Sequence, residues 1–212
     1  MAAIADTAAL QAALRTERLV LPVWSDDDLE HFAHWCRDRE ATKFVLRRPL
    51  TDGELRRHHL RSLRAWHNLG IGKRAVLDAE TGRWLGFVDI CFVGPGKGCR
   101  RDDVEIEYFL MPFAWGRGIA TEAAGAVRDD AFARAGIQEL LGRFRVENVA
   151  SGRVLEKLGF TFLRHHRFRD GAVVEVMRLT REGWLAFPSP SPAPPDEDSA
   201  RGPAVPRENL WL

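Results

Sequence analysis

Val104-Glu-Ile-Glu-Tyr-Phe-Leu-Met-Pro-Phe-Ala-Trp-Gly-Arg-Gly-Ile-Ala-Thr-Glu122 is the stretch on which the reading of this chain turns. Its opening run, Val104 to Met111, is rich in β-branched and aromatic residues. It ends at Pro112, which cannot donate to a ladder and so closes a strand. Gly116 and Gly118 form a turn, and a helical segment follows from roughly Gly118 to Ala135, closed by Gly136. A strand that passes through a glycine turn directly into a helix aims several backbone N–H groups at one place, where the helix dipole is positive. Such a place binds phosphate. Glycine lets the main chain approach an anion without a Cβ in the way, and Arg117 can add a mobile positive charge. Alone, a two-glycine turn before a helix is more often only a tight connection.

Upstream, Arg18 to Val23 reads as a strand that Pro22 confines to an edge or a strand end. Ser25-Asp26-Asp27-Asp28 offers N-cap oxygens before a helix carrying Leu29, Phe32, Ala33 and Trp35. Thr51-Asp52-Gly53-Glu54 starts a second helix with Leu55, His59, Leu63 and Trp66 on one face. Arg57, Arg61 and Arg64 lie on its other face, either as a surface for an acidic substrate or as the solvated side. Lys73 to Asp78 and Trp84 to Val93 read as a hairpin, and Gly94 to Gly98 breaks regular structure. Downstream, Leu140 to Val146 is strand-like, Ala150 to Leu158 helical, and Phe160 to Phe168 with Val173 to Leu179 a hairpin around Asp170-Gly171. Antiparallel hairpins with one central strand-helix-strand crossover predict a single α+β domain over residues 14–187. The run from Pro188 to about Pro206 is too proline-rich and acidic to bury a core, so 188–212 reads as a disordered tail.

The totals restrict function. A chain of 212 residues, 45% hydrophobic and 29% charged, suits one domain and one site. A net charge of +1 demands neither a nucleic acid nor an anionic membrane as partner. No apolar run approaches the length of a membrane span, and the alanine-rich start lacks the features of a signal peptide, so the expected location is cytoplasmic. Cys36, Cys91 and Cys99 are odd in number and widely spaced, and adjacent histidines (His58-His59, His165-His166) point apart. Neither a disulfide framework nor a metal site is expected.

Two further segments change the weight of the glycine turn: Arg145-Val-Glu-Asn148-Val-Ala-Ser151-Gly-Arg-Val-Leu-Glu-Lys-Leu-Gly159-Phe160, and Leu14-Arg-Thr-Glu-Arg-Leu-Val-Leu21. With the Trp115-Gly-Arg-Gly-Ile-Ala-Thr-Glu122 turn they resemble the ribosomal-protein-acetylating branch of the GNAT N-acetyltransferase superfamily, from about Leu14 to Trp184. The resemblance implies a mixed, mostly antiparallel sheet with splayed central strands and flanking helices. It also implies acetyl-coenzyme A as donor and a primary amine as acceptor, either a protein N-terminus or a small molecule. A non-catalytic acyl-coenzyme A sensor is the competing class. Oligomeric state, monomer or homodimer, stays open. A dinucleotide fold is disfavoured, since neither the full G-x-G-x-x-G pattern nor its acidic partner is present.

By this resemblance the pyrophosphate rests on the backbone of Arg117, Gly118, Ala120 and Thr121, with Gly116 and Ile119 also among the cofactor-binding residues. The pantetheine arm lies along Phe109, Leu110 and Met111, where an exposed amide can polarise the thioester. Asn148 serves pantetheine or caps its helix, and Arg153 reaches an adenosine phosphate or is merely exposed. Many superfamily members use a later tyrosine as acid, whereas the one tyrosine here, Tyr108, stands elsewhere. Ser151 is the candidate to protonate the departing thiolate, against the alternative of a helix-start serine. An ammonium has no free electron pair, so a base is needed. Glu105 and Glu107 share a strand face, and two close carboxylates raise one pKa. Glu105 matches an acidic position of the branch, while Glu107 stands where glycine is usual. The alternative is a solvated acidic face.

Overall fold

The computed structural model describes residues 12–93, 103–168 and 171–187. The Gly94 to Gly98 break, Cys99, Asp170 and the segment from Pro188 lie outside the described residues. One sheet holds β1 (Leu14–Arg15), β2 (Leu19–Leu21), β3 (Lys73–Asp78), β4 (Trp84–Phe92), β5 (Val104–Leu110), β6 (Glu139–Arg145), β7 (Thr161–Arg167) and β8 (Val173–Thr180). Their order is β1-β2-β3-β4-β5-β6-β8-β7. Neighbours are antiparallel except β5 and β6. The helices are α1 (Asp28–Arg37), α2 (Arg39–Thr42), α3 (Asp52–Leu69), α4 (Ile119–Arg134), α5 (Val149–Lys157) and α6 (Arg181–Ala186). This is the expected α+β domain, and α4 is the crossover that makes β5 and β6 parallel.

Alternation along β5 divides the core. Ile106 and Leu110 pack with Val88, Ile119, Ala123 and Leu155 on the α4 and α5 side. Phe109 turns to the other side and joins Phe87, Trp24, Phe32, Trp35 and Leu55, the cluster that seats α1 and α3. The Thr51 signal is a full capping box, Thr51 receiving the Glu54 N–H and Glu54 receiving that of Thr51. The aspartate signal works differently from expectation. The N-cap Asp27 makes no side-chain cap bond, and Asp28 instead accepts from the Ser25 N–H at 2.9 Å. β1 has only two residues, too short for a periodic signal, and its pairing with β2 keeps β2 off the edge.

Two features of the sheet position the site. β5 and β6 pair at a single register point, Glu105 with Leu141, and part beyond it. Beside them, Gly86 of β4 has φ +154°, and a Cβ there would collide with the Phe109 carbonyl oxygen and meet Leu110 Cα at 2.8 Å. Gly86→Ala is therefore expected to push β5 away from β4 and lower stability by about 1–3 kcal/mol, the range of overpacking with backbone displacement. Thermal melting checks this, and a native melting temperature would show that the two strands have slack.

Candidate active site

A cavity of about 790 Å³ opens where β5 and β6 part. Ten of the expected cofactor residues line it: Phe109, Leu110, Gly116, Gly118, Ile119, Ala120, Thr121, Asn148, Ser151 and Arg153. Met111 and Arg117 do not. Met111 is buried in the α1 and α3 cluster and its N–H donates to the Leu85 carbonyl at 2.9 Å. Arg117 is exposed, and its carbonyl accepts from Arg18 Nη1 at 3.0 Å.

The Met111 bond also sorts the backbone of β5. In an antiparallel ladder the N–H and C=O of one residue point to the same neighbour, and successive residues alternate. Since Met111 bonds β4, so do Phe109 and Glu107, opposite Phe87 and Asp89. Tyr108 and Leu110 thus direct their backbone groups towards β6, from which β5 has already separated. The Leu110 carbonyl is taken by Trp115 Nε1 at 3.0 Å, so the Tyr108 N–H and C=O and the Leu110 N–H are the groups that face the cleft. The sequence reading placed this edge one residue too late because periodicity does not say which neighbour a strand bonds first.

Gly118, at φ +78°, is the left-handed residue that opens α4. Its loop is tied down from the turn between β1 and β2: the Arg18 side chain bonds the Glu122 carboxylate at 2.5 and 2.7 Å, and the Arg18 N–H and Thr16 Oγ1 donate to the same carboxylate at 3.0 and 2.6 Å. Burial works against this carboxylate, yet the bonds from Thr16 and Arg18 outweigh it and hold Glu122 below its ordinary pKa. Two segments far apart in sequence, Leu14 to Leu21 and Trp115 to Glu122, are thus halves of one ionic clamp.

Asn148 is the N-cap of α5, its Oδ1 accepting from the Ser151 N–H at 3.4 Å, and its side chain also lines the cavity. Ser151 meets a partner that the sequence reading set aside. Tyr108 Oη donates to the Ser151 carbonyl at 2.7 Å and lies 2.9 Å from Ser151 Oγ. A phenol has one proton and a carbonyl can only accept, so the Ser151 hydroxyl is the donor of the second bond. Burial pushes the Tyr108 phenol well above its ordinary pKa, with the Ser151 bond offsetting part of that, and keeps it protonated. Tyr108 was missed because the helix that carries Ser151 is 43 residues away in sequence.

The two glutamates have separate environments, and neither is exposed: Glu105 is buried and Glu107 half-buried. Glu105 is 1% exposed and bonded at both oxygens by Arg143, Nε at 2.5 Å and Nη2 at 2.6 Å. It does not line the cavity. Glu107 does line it. Glu107, Asp89 and Cys91 bring one oxygen or sulfur each within 4.8 Å of one another, a grouping that sequence spacing does not reveal. Lys73 Nζ, at 2.8 Å from Asp89, already supplies a cation there. Burial alone would lower Lys73, but Asp89 outweighs it and holds the ammonium above its ordinary pKa. Burial, and then Glu107, push the Cys91 thiol far up, away from the thiolate a metal requires. Arg57, Arg61 and Arg64 are exposed on α3 and line no part of the cavity.

Comparison with known proteins agrees with this geometry. Residues 18–161 match the family described as acetyltransferase (GNAT) domain. FsC-acetyl coenzyme A-N(2)-transacetylase of Aspergillus fumigatus is 28% identical over 200 residues, covering 85% of this chain and 81% of that protein. An uncharacterized N-acetyltransferase, p20, of Bacillus licheniformis is 26% identical over 167 residues, covering 77% and 92%. Among solved structures, an acetyltransferase from Agrobacterium tumefaciens superposes with a TM-score of 0.67 at 27% identity, over 79% of this chain and 94% of that one.

Proposed function

Because the chain belongs to the acetyltransferase (GNAT) family, we propose that it transfers the acetyl group of acetyl-coenzyme A to a primary amine, on a peptide N-terminus or a small molecule, by direct attack on the thioester. The observation that carries this is the cleft: the unpaired β5 edge at Tyr108 and Leu110 shares one cavity with the α4 N-terminus. The residues fit a pantetheine amide chain ending in phosphates. Tyr108 and Leu110 offer strand-like pairing, Gly118 and the first turn of α4 offer N–H groups to an anion, and Arg153 adds charge. We place the domain at 14–187. The Asn148, Ser151 and Leu158-Gly159-Phe160 pattern supports the ribosomal-protein-acetylating branch.

In this reading the Tyr108 N–H polarises the thioester carbonyl as charge develops on its oxygen. Glu107, on the cavity wall, takes a proton from the bound ammonium, and the free amine then attacks the thioester carbon. Ser151 turns its hydroxyl from Tyr108 to the departing sulfur, and Tyr108 behind it remains a donor that can restore the serine proton.

The test is to incubate the protein with acetyl-coenzyme A and a panel of peptides, polyamines and aminoglycosides, and to follow free thiol. Thiol release with an amine supports transfer; binding without release over the whole panel would favour a cofactor sensor. Ser151→Ala is expected to lower kcat on the order of 10²-fold with acetyl-coenzyme A affinity nearly retained, and Tyr108→Phe to lower it less. Steady-state rates with calorimetry of cofactor binding check both, and a full-rate Ser151→Ala enzyme would remove serine from proton transfer.

A further inference from the structure

The far wall of the cleft, on the opposite side of the sheet from α5, carries cations of its own. Phe144 of β6 packs against Gly152 of α5, so by alternation Arg143 and Arg145 turn to the opposite face, towards α1 and α3. Arg143 is committed to Glu105. Arg145 is half-buried, and its Nε donates to the Phe44 carbonyl at 3.1 Å, which sets the plane of the guanidinium. Among the described residues no carboxylate pairs with it. It lines the main cavity and also a second one of about 570 Å³, which shares Lys43, Phe44, Val45 and Arg47 with the first. The charged residues lining the second cavity are Lys43, Arg47 and Arg145, all cations. Lys43 is held by Glu40 at 2.6 Å.

We infer that the acceptor is an amine that also carries a carboxylate, and that Arg145 binds that carboxylate where the cleft meets the Lys43 to Arg47 segment. The assignment rests on the transferase reading above. A guanidinium with a fixed plane presents parallel N–H donors that match a carboxylate. Arg145 faces away from α5 and from the phosphate end, so it is placed for the acceptor and not the cofactor. Glu107 and Arg143 each stand two residues past the paired Glu105 and Leu141, so they are level along the strands. Arg145 lies two residues further, about 7 Å at the usual strand rise. An amine delivered at Glu107 and a carboxylate at Arg145 are thus several atoms apart, the separation of an ω-amino acid.

The experiment titrates the coenzyme A-saturated protein with 5-aminopentanoate and with 5-aminopentanamide, which share the amine and the chain length and differ in end charge. The acid is expected to bind on the order of 10-fold tighter or more, the range of one charge-assisted pair. In Arg145→Gln that preference should vanish while acetyl-coenzyme A affinity stays native, and Arg145→Lys should keep part of it. Equal binding of acid and carboxamide by the native protein, with acetyl-coenzyme A binding intact, would overturn the assignment alone, as would an undiminished preference in Arg145→Gln. Absence of acetyl-coenzyme A binding in the native protein would overturn the transferase reading and this assignment with it.

Discussion

Gly118→Val is expected to weaken acetyl-coenzyme A binding by about 10²-fold or more in a protein that remains folded. Steric space is not the main reason: a Cβ at Gly118 would find its nearest neighbour, Arg18 Nη2, at 3.5 Å. The cost lies in the backbone. At φ +78° an L-residue is disfavoured by about 1–2 kcal/mol, and a β-branched one by more. The chain would leave the left-handed region and turn the first N–H groups of α4 away from a common point. Losing one or two charge-assisted bonds to phosphate accounts for the factor. The fold should persist, since Ile119, Ala123 and Val127 stay buried and the Arg18 to Glu122 clamp holds the first turn of α4 in place. Calorimetry on a variant with a cooperative melt decides it, and unchanged affinity would move the phosphate site elsewhere.

Glu107→Gln and Glu105→Gln should fail in different ways. Removing a base that lines the cavity is expected to lower kcat by about 10²–10⁴-fold at neutral pH. The sign of the pH effect follows from what remains. With Glu107 present, the rate falls only where that carboxylate protonates. Without it the enzyme depends on amine already deprotonated in solution, so the acidic limb moves up towards the pKa of the acceptor and the rate recovers as pH rises. Glu105→Gln leaves Arg143 buried without its counter-ion, a loss on the order of 3–5 kcal/mol, read as a lower melting temperature. Its pH profile should keep the native acidic limb. If Glu105→Gln shifts the limb and Glu107→Gln does not, the buried pair opens during turnover and the base is Glu105. If neither carboxylate moves it, the protein works chiefly by holding amine and thioester together.

Residue types and spacing determined most of the order of elements, the strand ending at Pro112, the glycine turn into α4 and the helix start at Thr51, because each depends on interactions within a few residues, whereas the short β1, α2 and α6 carry no such signal. The same local logic located Asn148 at the head of α5, whereas the expected cofactor residues that line the cavity came from the family resemblance. Which side of β5 faces the cleft, whether Glu105 is free or locked, and that Tyr108 reaches Ser151 depend on partners dozens of residues away. Glu105 and Glu107 alternate identically along the strand, yet one meets Arg143 and the other the cavity. That difference depends on which distant groups meet each carboxylate: Arg143 of β6 reaches Glu105, while Glu107 stands beside Asp89 and Cys91 of β4 and borders the cavity. Periodicity assigns a residue to a face, whereas its neighbours on that face come from the closing of loops between distant segments, which only the tertiary structure decided.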